Sequence, residues 1–511
     1  MSDNKRIAKN TLFLYFRMIL IMGVTLYTSR VVLDKLGVDD YGLYNVVGGV
    51  VGMLSFINGT LSIGTMRFLT TELGRNDVER LHKTFNTAFY THFALSLILA
   101  LLLETVGLWV VYNKLVIPPE RLDAAIIAYH ISIATSIVSI TQVPYTSLIM
   151  AHERMGIYAY ISIFEAIAKL IVVYLLSISH FDRLVFYAIL MAVVQVIVAM
   201  LYRFYCRFHF CESRLIFCFD KPIFKSMMGF SGWNIIANLT ETLKLQGVLV
   251  LINMFFAPAV AAAQAIANQV SGAMMQFVNN FRTAINPQII KLFAAGDFEG
   301  SRRLTLNTTV YCFDLTLMLG LPAMIVMEPL MHVWLVEVPE YAVIFTQWIL
   351  FSNIIGTFGA AFYIPMMAAN KVRSNSIAAV FLGIGQFIIL FFLLKMGLSP
   401  MWVQYMNLIM VIGFSIIVKP VILYREIDYP IKDLLRCYFE CVKVFFFSLF
   451  LTLIAVYFVP DISPIIDVLI KGLSSFFASV LSSYFFLDAS AKKKLHAVLV
   501  NKYLISRRSL S

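Results

Sequence analysis

Charge is scarce in this sequence. Aspartate, glutamate, lysine and arginine together make up 14% of its 511 residues, while 60% are hydrophobic. With a mean hydropathy of +0.83, that balance excludes a water-soluble domain and specifies a polytopic membrane protein. Cysteine is also rare. None of the six falls in a segment expected outside the cytoplasm, so no disulfide framework is expected. Cys206, His209 and Cys211 lie close together but do not match a zinc spacing, and no metal or other cofactor is expected. Long loops are missing: the longest connection between hydrophobic segments is about 20 residues, too short for a folded catalytic domain. No G-x-x-x-x-G-K-[ST] stretch occurs, which speaks against an ATP-driven pump. Acidic residues are outnumbered 40 to 29 by basic ones, for a net charge of +11. In a membrane protein this excess reports orientation, not nucleic-acid binding.

What fills the chain instead is hydrophobic segments. Fourteen are read, at about 11–33, 42–65, 85–111, 124–150, 156–177, 184–205, 227–253, 259–281, 304–326, 342–368, 376–396, 402–424, 438–459 and 465–487. An all-α polytopic fold of about 14 transmembrane helices follows. The first segment is too long for a signal-peptide core and follows Lys5, Arg6 and Lys9, so it is expected to stay as a signal anchor. About 29 of the 40 basic residues lie in or beside the termini and the even-to-odd connections, against about five on the other side. Both termini are therefore expected in the cytoplasm.

The chain repeats itself. Asp77-Val78-Glu79 followed by Phe85–Tyr90 (FNTAFY) is echoed by Asp297-Phe298-Glu299 followed by Leu306–Tyr311 (LNTTVY). Pro144 and Pro365 keep the offset of the second of these pairs, and each precedes a short basic turn. Segments 1–6 and 7–12 thus read as two copies of one unit. Six is even, so both copies enter the membrane in the same sense and form parallel lobes around a central cavity. The expected domains are an N-terminal lobe at 1–210, a C-terminal lobe at 211–430, and a last pair of helices with a basic tail at 431–511. Glycines crowd the second segment; Gly48 and Gly49 there, with Pro144 and Pro365, are candidate gating positions.

Charges inside the segments are candidates for function. Arg17 and Arg30 lie in the first segment with no acid within it. At 100° per residue they point about 140° apart, so one helix face does not present both. Glu165 and Lys169 are spaced i,i+4, and Glu241 and Lys244 i,i+3; each pair can neutralise itself on one helix face. Alternatively, Lys169 or Lys244 meets an anionic substrate. Asp314 stands mid-segment without a local partner, as proton- or sodium-carrying acids do. Arg17, Arg30, Lys169 and Lys244 are the expected substrate-binding residues, and Asp314, Glu165 and Glu241 the expected ion-coupling residues.

Tyr27-Thr28-Ser29-Arg30, Leu36-Gly37-Val38-Asp39-Asp40-Tyr41-Gly42, Arg67-Phe68-Leu69 and VPYTSLIMAHERM at Val143–Met155 carry a resemblance. Over essentially its whole length the chain resembles the bacterial polysaccharide transporters. These are the O-antigen- and capsule-type oligosaccharide flippases, in the superfamily of the multidrug-and-toxin extruders (MATE) and the lipid II flippase. The resemblance implies two six-helix lobes that open alternately to either side of the bacterial inner membrane. It implies an undecaprenyl-pyrophosphate-linked oligosaccharide as substrate, moved by an ion gradient or the membrane potential. A polysaccharide polymerase or chain-length machinery would then be a partner, beside the lipid bilayer. Arg17 matches a first-helix position where relatives use cavity arginines against pyrophosphate, a pairing the guanidinium fork favours. A MATE-like cation or drug antiporter is the alternative, although its cavity should be acidic. A membrane glycosyltransferase or polymerase is a second alternative, which the short outer loops disfavour.

Overall fold

The computed structural model describes residues 3–53, 56–75, 77–152, 154–178, 181–228, 242–369, 371–459, 463–487 and 492; side chains are described from Met18 onward, except at 56–60, 63, 283–284 and 287. Every regular element among them is helical. Ten of the described helices are long and apolar enough to cross a membrane, from Val78–Asn113 to Pro464–Phe486. The chain is a multi-pass membrane protein. The first expected segment lies within the helix Asp3–Leu36, the second is divided between Val38–Gly52 and Phe56–Gly74, and the eighth lies within Pro258–Ala294. The seventh falls partly outside the described residues and ends in the short helix Leu243–Phe255. The tenth is interrupted. Its main helix stops at Gly359, and Pro365 sits in a separate short helix, Tyr363–Ala368. Its repeat partner Pro144 instead lies inside the unbroken helix Leu122–Ala151.

Local chemistry explains several helix starts. Asp77 and Asp297, the aspartates of the internal repeat, both cap helices: they accept from the backbone N–H of Arg80 at 2.9 Å and of Gly300 at 2.8 Å. Gly37, between the first two helices, has φ +84°, a conformation that L side chains resist. Gly42, one turn later, lies against Pro258; a Cβ there would stand 2.1 Å from the Pro258 carbonyl oxygen. Two glycines of the LGVDDYG stretch are thus fixed by geometry.

Contacts divide the chain into two compact units. One comprises Met1–Gln269, Trp334–Phe345 and Ala379–Met406, the other Val270–Val333, Thr346–Ala378 and Asn407–Ser511. In the first, the helix Leu122–Ala151 is the hub and packs on Arg183–His209, Phe56–Gly74, Val78–Leu102 and Val38–Gly52. A π-helical turn at Leu103–Gly107 interrupts the third expected segment. Tyr129 donates its hydroxyl to the Leu103 carbonyl at 2.7 Å, and Gly107 leaves room for it: a Cβ there would lie 2.2 Å from that hydroxyl. The second unit repeats the device at Gly413–Val418, where Tyr438 donates to the Ser415 carbonyl at 2.9 Å.

In the second unit, Phe298–Ile325 packs on Ile431–Tyr457 and Pro464–Phe486. The last two helices meet along small hydroxyl residues: Ser448 and Ser479 bond at 2.9 Å, with Thr452, Ser475 and Ser482 buried around them. Such residues let helix backbones approach closely in lipid. Large apolar side chains face outward, among them Phe381 at 79% exposure and Phe477 at 63%. On a chain this apolar they form the lipid-facing surface.

Two polar side-chain contacts tie helix ends in the first unit. Arg121 bonds both oxygens of Asp40, at 2.8 and 2.6 Å, and both of Asp182, at 2.5 and 3.2 Å. Burial raises the Asp40 carboxyl above its ordinary range despite the guanidinium. Burial also raises Asp182, but hydrogen bonds from Arg121 and the Val185 N–H outweigh it, and the carboxyl ends below its ordinary range. At the opposite helix ends, His152 Nε2 lies 2.5 Å from Glu212 Oε1, and the ring stacks on Phe210 at 4.0 Å. Burial raises Glu212, the bond with His152 lowers it, and the net shift is downward.

Candidate functional site

Two cavities flank the helix Val38–Gly52 within the first unit. The first, of about 300 Å³, holds Lys169, Gln195 and Gly48 in its wall, with Ser132, Thr135, Ser136 and Ser139 on the hub helix. Those four hydroxyl residues are spaced i, i+3, i+4 and i+7, one stripe of an otherwise apolar helix. Ser132 and Thr135 return their hydroxyl protons to carbonyls one turn back, both at 2.8 Å. The wall therefore carries polar oxygens in an apolar segment while these hydroxyl protons stay bonded within the helix. Lys169 Nζ donates to Glu165 Oε1 at 2.6 Å, and Gln195 donates to Gln142 at 3.0 Å. The wall presents an ammonium, an amide and hydroxyls; no carboxylate is among its lining residues.

The second cavity, of about 430 Å³, is polar without charge. Thr25, Thr28, Ser29, Asn45, Asn268 and Gln269 line it, with Tyr41, Tyr44 and Gln246. Gln269 donates to Ser29 Oγ at 2.6 Å and to the Thr25 carbonyl at 3.2 Å, and Trp334 donates to the Leu26 carbonyl at 2.8 Å. The first helix around Thr25–Ser29 is thus held by side chains of two other helices. Tyr44 borders both cavities.

The remaining sequence-predicted residues are scattered. Arg17 and Glu241 lie outside the residues whose side chains are described. Arg30 is half-buried and lines neither cavity. Lys244 is exposed, within a π-helical turn at Leu243–Gly247, and also lines neither. Glu165 serves as the partner of Lys169. Asp314 is buried in the second unit, against a separate cleft. A Cβ at Gly48 would meet nothing within 4 Å, whereas one at Gly49 would lie 3.5 Å from the side chains of Gln246 and Val250. Pro144 and Pro365 are both buried. Sequence reading missed the hydroxyl stripe, although it stands as a polar period in an apolar helix. The amides at Gln246, Asn268 and Gln269 carried no such signal.

No protein-family model matches the chain, and no curated protein matches it. Solved structures do. A lipid II flippase MurJ in an inward closed conformation aligns with TM-score 0.65 over 94% of this chain and 98% of its own, at 13% identity. This chain has the MurJ and MATE fold. An inward-facing multidrug resistance MATE transporter of the MOP superfamily aligns with TM-score 0.61 over 78% of this chain and 96% of its own, at 12% identity. A MOP superfamily transporter from Pyrococcus furiosus, described as having a binding pocket of reverse polarity, gives TM-score 0.56 at 14% identity, over 81% and 96%.

Proposed function

We propose that the chain is a transporter that moves an undecaprenyl-pyrophosphate-linked oligosaccharide from the inner to the outer leaflet of a bacterial inner membrane. The observation that carries this reading is the lining of the first cavity. An ammonium among hydroxyls and an amide suits a phosphate-bearing, sugar-bearing cargo; a cation extruder needs carboxylates there. The MurJ alignment supports a lipid-linked cargo, because it extends over 94% of the chain.

In this reading Lys169 releases Glu165 when the diphosphate arrives, and Arg17, Arg30 and Lys244 attract the same group at other stages. The two sextets, 1–210 and 211–430, are the halves that rock. Helix Val38–Gly52, bordering both cavities, moves with Gly48, Gly49, Pro144 and Pro365 as points of flexure. Both termini face the cytoplasm. Asp314, Glu165 and Glu241 couple the cycle to an ion gradient.

The test is leaflet transfer of a labelled lipid-linked oligosaccharide by the reconstituted full chain. Lys169→Ala combined with Glu165→Ala leaves no uncompensated charge and is expected to slow transfer about tenfold or more while insertion is kept. Wild-type transfer by that variant removes Lys169 from the cargo path. Uptake of a cationic dye without lipid transfer would favour the MATE-type alternative instead.

A further inference from the structure

A cleft of about 610 Å³ runs down the second unit, between Phe298–Ile325 and Ile431–Tyr457, with the end of Pro464–Phe486 closing one side. Its polar residues form two facing ladders. Glu299, Arg303, Asn307, Tyr311 and Asp314 descend one helix at spacings of three and four, and Asp433, Arg436 and Glu440 descend the other. The mouth lies at the end of the unit where basic residues gather. There the carboxylates of Glu299, Asp433 and Glu440 stand against the guanidiniums of Arg302, Arg303 and Arg436. Arg302 meets Asp433 at 3.3 Å and Glu440 meets Lys443 at 2.7 Å. The mouth therefore has no single-sign barrier to a small ion.

At the deep end the chemistry changes. Asp314 is 6% exposed, Ser483 on the last helix is 4% exposed, and both line the cleft. Asp314 Oδ1 and Ser483 Oγ are buried without a hydrogen-bond partner among the described residues. A bare buried carboxylate oxygen is expensive in an apolar surrounding, and two unpartnered polar atoms in one cleft point to an occupant. Around them the wall is Val310, Cys437, Val444 and Phe486, with Cys441 buried behind it. That wall lacks the oxygen cage a dehydrated metal cation requires. No group of three or more His, Cys, Asp or Glu that could hold a metal occurs among the described residues.

We propose that this cleft is a proton path, open at the basic end, that loads Asp314 from the cytoplasm. It rests on the coupling role given to Asp314 above, and adds the ion, its direction of access and a role for the last two helices as the path's second wall. Protonation forms one O–H bond at Oδ1; the proton comes from cytoplasmic solution and the charge on the carboxylate is lost. The ionisable groups facing it are Glu299, Arg302, Arg303 and Tyr311 on its own helix, and Asp433, Arg436, Cys437, Glu440 and Cys441 on the facing one. The cleft wall contributed by the last helix, Ser483, Phe486 and Leu487, adds no charge.

A hydrophobic carbodiimide modifies protonated buried carboxyls, and mass spectrometry of the Asp314 peptide counts the product. The full chain is labelled in inverted and in right-side-out membrane vesicles, with pH varied on one face at a time. Modification is expected to fall at least fivefold as the cytoplasmic-face pH rises from 6 to 9, to ignore the other face, and to be unchanged by NaCl. Asp314→Asn abolishes the signal. Modification that follows the opposite face, protection by Na⁺, or none at any pH overturns the proposal. Leaflet transfer by Asp314→Asn is scored separately: unchanged gradient dependence there refutes the coupling role, whereas the labelling result decides the access path.

Discussion

The Arg121 clamp makes a quantitative test of how this bundle holds its helix ends together. One guanidinium serves two carboxylates, each bidentately, yet the two halves are unequal. The side chain of Arg121 is 28% exposed, that of Asp40 16% and that of Asp182 35%. Removing one partner of a buried pair costs about 3–5 kcal/mol, because the survivor is left charged and dry. An exposed pair is worth about 0–1 kcal/mol. Asp40 belongs nearer the first limit, and its raised carboxyl says that its charge is already poorly accommodated. Arg121→Met is therefore expected to destabilise by about 3 kcal/mol. Adding Asp40→Asn removes the stranded charge and should recover about 2 kcal/mol. Asp182→Asn alone should cost about 1 kcal/mol or less. Thermal unfolding of the detergent-purified chain, at one fixed scan rate, ranks the variants: Arg121→Met lowest, the double variant above it, Asp182→Asn near wild type. If the double variant melts below Arg121→Met, the stranded-charge argument is wrong.

Two further expectations follow from the same ground. Gly42→Ala drives a methyl into the Pro258 backbone and should abolish or sharply reduce folded protein, whereas Gly48→Ala meets open space and should be neutral or stabilising by up to about 1 kcal/mol; size-exclusion profiles of the two variants compare them, and equal profiles would undo the close-approach claim. The lowered Glu212 carboxyl contributes stability that is present above the ordinary carboxylate range and lost as pH falls through its lower folded value. The melting difference between wild type and Glu212→Gln should accordingly shrink as pH falls below about 4; a difference that does not change between pH 5 and 3 would assign the effect elsewhere.

Much of the helical architecture was legible in the sequence because lipid leaves a chain few choices: every backbone group must be bonded within the segment. Local pairs were legible too. Lys169 does meet Glu165 one turn away, as their spacing requires. Asp77 and Asp297, found as a repeat, proved to be helix caps. What resisted was anything joining distant positions. Asp40 and Arg121 are 81 residues apart, and nothing in either neighbourhood names the other. The break before Pro365 was hidden because its surroundings stay apolar. Depth in a segment does not fix azimuth either, and the π-helical turn at Leu243–Gly247, which contains Lys244, alters azimuth further.

That last point applies to every segment containing such a turn. Each carries one residue more than a regular helix would, so everything beyond it is rotated by about 100°. In Val78–Asn113 and Trp402–Ile427 a wheel drawn from the first residue misassigns the far half, exchanging lipid-facing and neighbour-facing positions. Deleting a single residue inside either turn should therefore re-phase an entire half-helix, while the same deletion in a connecting loop would leave both faces as they are.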